Sequence, residues 1–251
     1  MRKLQDSQPL WHALIWIGIY IVAVNVGDAV GGVLHFPGAT SIVLLILSAV
    51  LLVYLRRTRR LAFYGVRRVQ PGTLPATAFF IPLFVTAFVS YGKGWAPGLD
   101  TETVVFAILL VVGVGFVEEL VFRGFLLRAL RAEGRLTWAI VVSGVTFGIG
   151  HVVNLLRGYS LPEQLVQIVL AILVGIALAY GVVLTGSILP GAVFHALFNL
   201  SGTLTADSVW GETVVAGIIA AVMIPYIFFL RSRLAAVGPA PDPPVVSAGS
   251  G

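Results

Sequence analysis

Residues 116–125 read Phe-Val-Glu-Glu-Leu-Val-Phe-Arg-Gly-Phe. They close an apolar run that begins at Thr103 and holds no charge before Glu118. Such a run reads as a membrane helix, and an ionisable residue at the centre of one costs roughly 2.5–3.5 kcal/mol on insertion scales. Two adjacent carboxylates, Glu118 and Glu119, followed one turn later by Arg123, therefore need partners inside the membrane. The rest of the chain reads as the scaffold that supplies them.

The 251 residues are 58% hydrophobic and 11% charged, with a mean hydropathy of +0.99. A soluble domain carries about 25% charged residues. The chain is therefore expected to be an integral membrane protein. Its apolar runs are continuous rather than alternating, which suits membrane helices and not a β-barrel. The net charge of +5 comes from bases that flank apolar runs, so it reads as a topology signal, and no nucleic-acid partner is expected. Cysteine is absent, which excludes disulfides, thiolate zinc sites and cysteine catalysis.

In chain order, spans are expected at about residues 10–33, 41–55, 74–91, 101–122, 136–155, 162–184, 188–204 and 213–230. The first has Trp11 and Trp16 near its start and no small-residue cleavage site, so it reads as an uncleaved span. His12 and His35 lie at its two ends and read as interfacial. Pro75 falls in the first turn of the third span, and Pro82 inside it predicts a kink. Residues 125–131 continue the fourth span as an amphipathic extension. Gly144, Gly148 and Gly150 give the fifth a small-residue face suited to tight packing. All sixteen basic residues except Lys93 and Arg157 fall on one side of this arrangement. The positive-inside rule then predicts an all-α polytopic bundle of about eight transmembrane helices with both termini cytoplasmic. Residues 1–237 read as a single membrane domain, and residues 238–251, rich in Pro, Gly, Ala and Ser, as a disordered tail.

Polar chemistry recurs inside these spans at Glu118, Glu119, Arg123, His151, His195 and Asn199. Residues four apart share a helix face, so Glu119 pairs with Arg123, and His195 points the same way as Asn199. Adjacent residues lie about 100° apart, which leaves Glu118 free to face the bundle interior. A desolvated carboxylate and an imidazole can activate water, and a second imidazole with an amide can stabilise an oxyanion. Glu118 with His151, and His195 with Asn199, form such a set, suited to hydrolysis of a peptide bond. Taken singly, each group also has a structural reading: an ion pair for Glu119 and Arg123, a satisfied buried imidazole for each His, interhelical glue for Asn199.

Glu-Glu-x-x-x-Arg at 118–123, Phe-x-x-x-His at 147–151 and His-x-x-x-Asn at 195–199 together resemble the CPBP family. These are the CAAX prenyl protease and bacteriocin-processing enzymes, also called Abi proteins. The resemblance covers roughly residues 104–204 and implies an intramembrane endopeptidase of a prokaryotic cytoplasmic membrane. It implies that Glu118 and His151 activate the water, that His195 and Asn199 form the oxyanion hole, and that Glu119 and Arg123 support them. It also implies a membrane-embedded or lipid-anchored peptide as substrate. Members have often been labelled metalloproteases. Metal-free glutamate chemistry is expected here, because no His-Glu-x-x-His occurs. The alternative is zinc on Glu118, His151 and His195. Two other classes stay open: a non-proteolytic peptide-binding or bacteriocin-immunity-type protein, and an ion-coupled transporter.

Depth is the difficulty. At about 1.5 Å per residue, Glu118 lies about 6 Å from the end of the run at Phe122, whereas His151 lies about 22 Å from Leu136. The two can meet if the fourth helix sits further outward, with Arg123 inside the membrane, or if the fifth begins outside the hydrocarbon core. The first is expected, with the fourth helix continuing to about Leu130 and Arg123 buried against Glu119.

Overall fold

The computed structural model describes residues 1–69, 80–158 and 160–243. Among them the regular structure is helical, apart from one β-bridge between Trp95 and Thr205. The helices are α1 (Arg2–Ser7), α2 (Pro9–Leu34), α3 (Ala39–Arg57), α4 (Ile81–Thr86), α5 (Thr101–Arg131), α6 (Leu136–Gly150), α7 (Leu161–Thr185), α8 (Leu189–Thr203) and α9 (Val209–Val237). Among the described residues six stretches are long and apolar enough to cross a membrane: Pro9–Leu34, Ala39–Arg57, Thr101–Arg131, Leu136–Leu155, Leu161–Thr185 and Gly211–Val237. The chain is an all-α, multi-pass membrane protein.

Two of the expected spans are not among those six. The segment at 74–91 falls partly outside the described residues, Pro75 included. Its described remainder is α4 and a 3-10 turn at Val89–Lys93. The expected kink at Pro82 depends on residues 74–79, which lie outside the described residues; among the described ones Pro82 sits in the first turn of α4, where its missing N–H and fixed φ are tolerated. The segment at 188–204 forms α8, whose 15 residues reach only about 22 Å, short of a hydrocarbon core about 30 Å thick.

The rod α5 organises the bundle. Asp100 caps it by accepting the Thr103 N–H at 2.8 Å, which holds the Asp100 carboxyl below its ordinary range. Half of the apolar window of α5 (50%) and 56% of that of α7 lie inside the protein, against 17% for α2 and 28% for α9. So α5 and α7 form the centre, while α2 and α9 form outer walls. Glycines let backbones meet at this centre. A side-chain carbon on Gly115 would lie 2.8 Å from the Ala192 carbonyl of α8, and one on Gly113 would lie 3.0 Å from Leu44 of α3. The expected small-residue face of α6 is used in the same way: a carbon on Gly144 would lie 2.7 Å from the Ile176 nitrogen of α7.

Both ends of the described chain lie at one end of the bundle. Asp6 pairs with Arg60 after α3, Arg128 of α5 lies 3.7 Å over the Phe63 ring, and Asp242 contacts Arg128 at 3.1 Å and Arg131 at 3.5 Å. Residues 238–243, the start of the expected tail, are therefore placed against the bundle. Ala240 donates its N–H to the Val183 carbonyl at 2.8 Å, and Arg67 donates to the Pro241 carbonyl at 3.3 Å. The rest of that tail, 244–251, lies outside the described residues. At the opposite end, Lys93 pairs with Glu212, and residues 94–96 hydrogen-bond to residues 204–206.

Candidate active site

The helical rod does not end at Phe122. It runs unbroken to Arg131, with regular α-turns to Glu118, wide π-type turns over Glu119–Leu126, and α-turns again over Leu127–Arg131. Wide turns of this kind are rare and recur at functional sites. This continuation resolves the depth problem. The helices α5 and α6 leave the same short loop at Arg131 and Leu136. Glu118 is about 20 Å along the rod from Arg131, and His151 about 22 Å from Leu136, so the two stand at one level.

The two carboxylates have different surroundings. Glu119 is fully buried, and its Oε1 lies 2.9 Å from Nη1 of Arg123, which is 1% exposed. The contact is close but off-axis, so the attraction is ionic rather than a directed hydrogen bond. Arg123 also donates to the Gly175 carbonyl of α7 at 3.2 Å and lies 4.2 Å from the centre of the Phe147 ring. The pairing expected from i,i+4 spacing is present, inside the protein, with its charge matched from three sides. Gly191 makes room for it: a side-chain carbon there would lie 2.9 Å from Glu119 Oε2.

Glu118 is buried but not ion-paired to Arg123. Its Oε1 accepts the hydroxyl of Tyr20 from α2. Its Oε2 lies 3.3 Å from Nε2 of His195 and has no hydrogen-bond partner. A buried carboxylate oxygen without a donor is costly unless something fills the position, and a water or a reacting group suits it.

His195, on α8, touches both carboxylates. Its Nε2 faces Glu118, and its Nδ1 lies 3.5 Å from Glu119 Oε1. The sequence reading placed His195 with Asn199, apart from the glutamates. The close backbone approach of α8 to α5 at Gly115 and Gly191 brings it onto them instead. Asn199 lies one turn further along α8, half-buried, and its side-chain amide has no hydrogen-bond partner among the described residues. Its N–H donors stay available on the same helix face as His195.

His151 ends α6 and begins a 3-10 turn, His151–Arg157. Its Nδ1 is 3.1 Å from the Phe147 carbonyl. A carbonyl can only accept, so the bond requires the proton on Nδ1 and leaves Nε2 with a lone pair. His151 lies outside ion-pair distance of Glu118. The two imidazoles flank one ring, with His151 at 5.1 Å and His195 at 5.5 Å from the Phe147 centroid. Phe147 also packs edge-on to Phe122 at 5.3 Å, and Ser143 donates to the Phe122 carbonyl at 2.9 Å, which ties α6 to the wide turns of α5.

A zinc ion would need Glu118, His151 and His195 to converge. Among the described residues no three His, Asp or Glu side chains are grouped so as to hold a metal. His195 leans on the carboxylates, while His151 is tied to its own helix.

Sequence reasoning missed Tyr20. A tyrosine usually marks a membrane interface. Tyr20 instead sits midway along the 26-residue α2, where a hydroxyl needs a polar partner. His12, at the start of the first span, is packed inside the protein: it is 1% exposed, accepts the Trp16 indole N–H at 3.1 Å and stacks on Tyr54 and Tyr64.

Comparison with curated proteins and with solved structures gave no match. Residues 100–201, which hold Glu118, Glu119, Arg123, His151, His195 and Asn199, match the family model for type II CAAX prenyl endopeptidase, Rce1-like. Over these residues the chain is thus similar to the Rce1-like type II CAAX prenyl endopeptidase family, the kind of membrane protein that its three motifs resemble.

Proposed function

We propose that the protein is an intramembrane endopeptidase that hydrolyses a peptide bond of a membrane-embedded or lipid-anchored substrate. The observation that carries the reading is the split between the two carboxylates. Glu119 is bound to Arg123, while Glu118 keeps one buried oxygen without a partner beside an imidazole, inside the matched domain.

In this reading Glu118 Oε2 takes a proton from a water positioned with His151 Nε2. The water oxygen attacks the scissile carbonyl carbon, and the negative charge that develops on the carbonyl oxygen is met by N–H donors of His195 and Asn199. Glu118 then passes the proton to the leaving amine. Glu119 and Arg123 hold the α5 backbone and His195 in place. The chemistry runs on glutamate and imidazole without a resident metal, with His195 against both carboxylates and His151 bound to the Phe147 carbonyl. The membrane in this reading is a prokaryotic cytoplasmic membrane with both termini inside; the orientation is supported by the basic residues gathered at the end of the bundle where the ends of the described chain lie.

The test is to incubate the purified protein, with and without a chelator, with a panel of membrane-anchored peptides and to identify products by mass spectrometry. Cleavage that persists in chelator is expected. Cleavage abolished by chelator and restored by zinc overturns the metal-free chemistry. No cleavage of any peptide, with ion flux across sealed vesicles, overturns the protease reading in favour of a transporter. Stable peptide capture without cleavage favours a binding protein.

A further inference from the structure

The matched domain begins at residue 100, yet one contact to Glu118 comes from outside it, from Tyr20 of α2. We infer that Tyr20 is a positioning residue for Glu118: its hydroxyl holds Oε1 so that Oε2 alone faces the reacting water. The inference rests on the protease reading and extends the site to the first membrane helix.

The register of α2 is set for this task. Ala13, Trp16, Ile17, Tyr20, Ala23, Val24 and Gly27 recur at three- and four-residue intervals and pack inward, while Leu14, Ile15, Ile19, Val22 and Val26 are exposed along its outer face. Tyr20 lies in the middle of the inward stripe, against the start of the wide turns of α5. A phenylalanine would satisfy this stripe equally well on hydrophobic grounds. What tyrosine adds is one hydroxyl, and that hydroxyl reaches Glu118.

The other groups around Glu118 cannot do this work. On α5, Arg123 is committed to Glu119 and Gly175. On α8, His195 approaches Oε2, the opposite oxygen. At the end of α6, His151 is bound to the Phe147 carbonyl. Among the described residues α3 brings no ionisable side chain within ion-pair distance of it. Without the Tyr20 hydroxyl Oε1 loses the donor that holds it, and the carboxylate can turn away from the water. A small misplacement of a catalytic group lowers the rate without weakening substrate binding.

The test uses the full chain in detergent and three variants: Tyr20→Phe, Tyr20→4-aminophenylalanine, which keeps a donor at the same place, and Glu118→Gln. Infrared difference spectra assign the carboxyl band that Glu118→Gln removes. Tyr20→Phe is expected to move that band, and the amino variant to return it toward the wild-type position. In cleavage assays Tyr20→Phe is expected to lower kcat about 10- to 100-fold, the range for a hydrogen bond to a charged group, with KM changed less than about threefold and partial rescue by the amino variant. An unmoved band in Tyr20→Phe overturns the contact whatever the activity. A moved band with kcat unchanged or raised overturns the positioning role. A wild type that cleaves nothing overturns the protease reading and this catalytic role together, and the band then reports on the contact alone.

Discussion

At the scale of single residues, adjacent carboxylates on one helix meet different neighbours: Glu119 meets Arg123, and Glu118 meets Tyr20 and His195. Glu119 and Arg123 are a buried ion pair, and such pairs are weak sources of stability but costly to break. Glu119→Gln or Arg123→Met alone leaves an uncompensated charge in an apolar interior and is expected to destabilise the fold by about 3–5 kcal/mol. The double variant removes both charges and is expected to cost less than the two single variants summed. Thermal unfolding in one detergent, on all three variants and the wild type, measures this; additive losses would show that the two side chains do not act as a pair. This pairing was legible in the sequence, since i,i+4 spacing alone predicts it. The contact of His195 with both glutamates was not, because it depends on how closely α8 approaches α5 at Gly115 and Gly191.

At the scale of helices, the site is set by two features of different legibility. The glycines of α6 announce a close contact in the sequence, and the structure places Gly144 against the backbone of α7 at Ile176 and Gly175. Gly144→Leu is expected to destabilise by about 1–3 kcal/mol or more, because the clash is with backbone that cannot rotate away. It should also lower activity, since Phe147 and His151 lie on the same helix end. An unfolding temperature unchanged from wild type would rule out this packing. The wide turns over Glu119–Leu126 left no such mark. Hydrophobic periodicity ended the apolar run at Phe122; the continuation to about Leu130 and the burial of Arg123 were expected only from the need to bring Glu118 level with His151, and the partners of Arg123 from α6 and α7 lie in no local pattern. The short α8 reads as a span because its residues are apolar; one face packs on the bundle through Gly191, Phe194 and His195, while Leu189 and Val193 are exposed, and its 15 residues are too few to cross a hydrocarbon core alone.

At the scale of the whole molecule, composition alone identified a helical membrane protein, and six apolar helices bear that out. The ends of the described chain, Arg60, Arg128 and Arg131 gather at one end, and the Lys93–Glu212 pair lies at the other. The distribution of basic residues then predicts which end faces the cytoplasm. The absence of native cysteine makes this simple to test. Ser7→Cys is expected to react with a membrane-impermeant maleimide only in permeabilised cells, and Gly92→Cys, where a side chain meets open space, in intact cells. The reverse pattern would invert the topology. The start of the expected tail escaped compositional reading, because its docking depends on a few specific contacts such as Asp242 with Arg128 and Arg131 rather than on hydrophobicity.

The central claim is that Glu118 is the carboxylate that activates water. It is tested most directly by single-turnover cleavage of one membrane-anchored peptide by the wild type and by Glu118→Gln, both first shown to unfold at the same temperature. Glutamine keeps the shape and removes the base, so the rate is expected to fall about 10²- to 10⁴-fold. A Glu118→Gln protein that cleaves at close to the wild-type rate would contradict it.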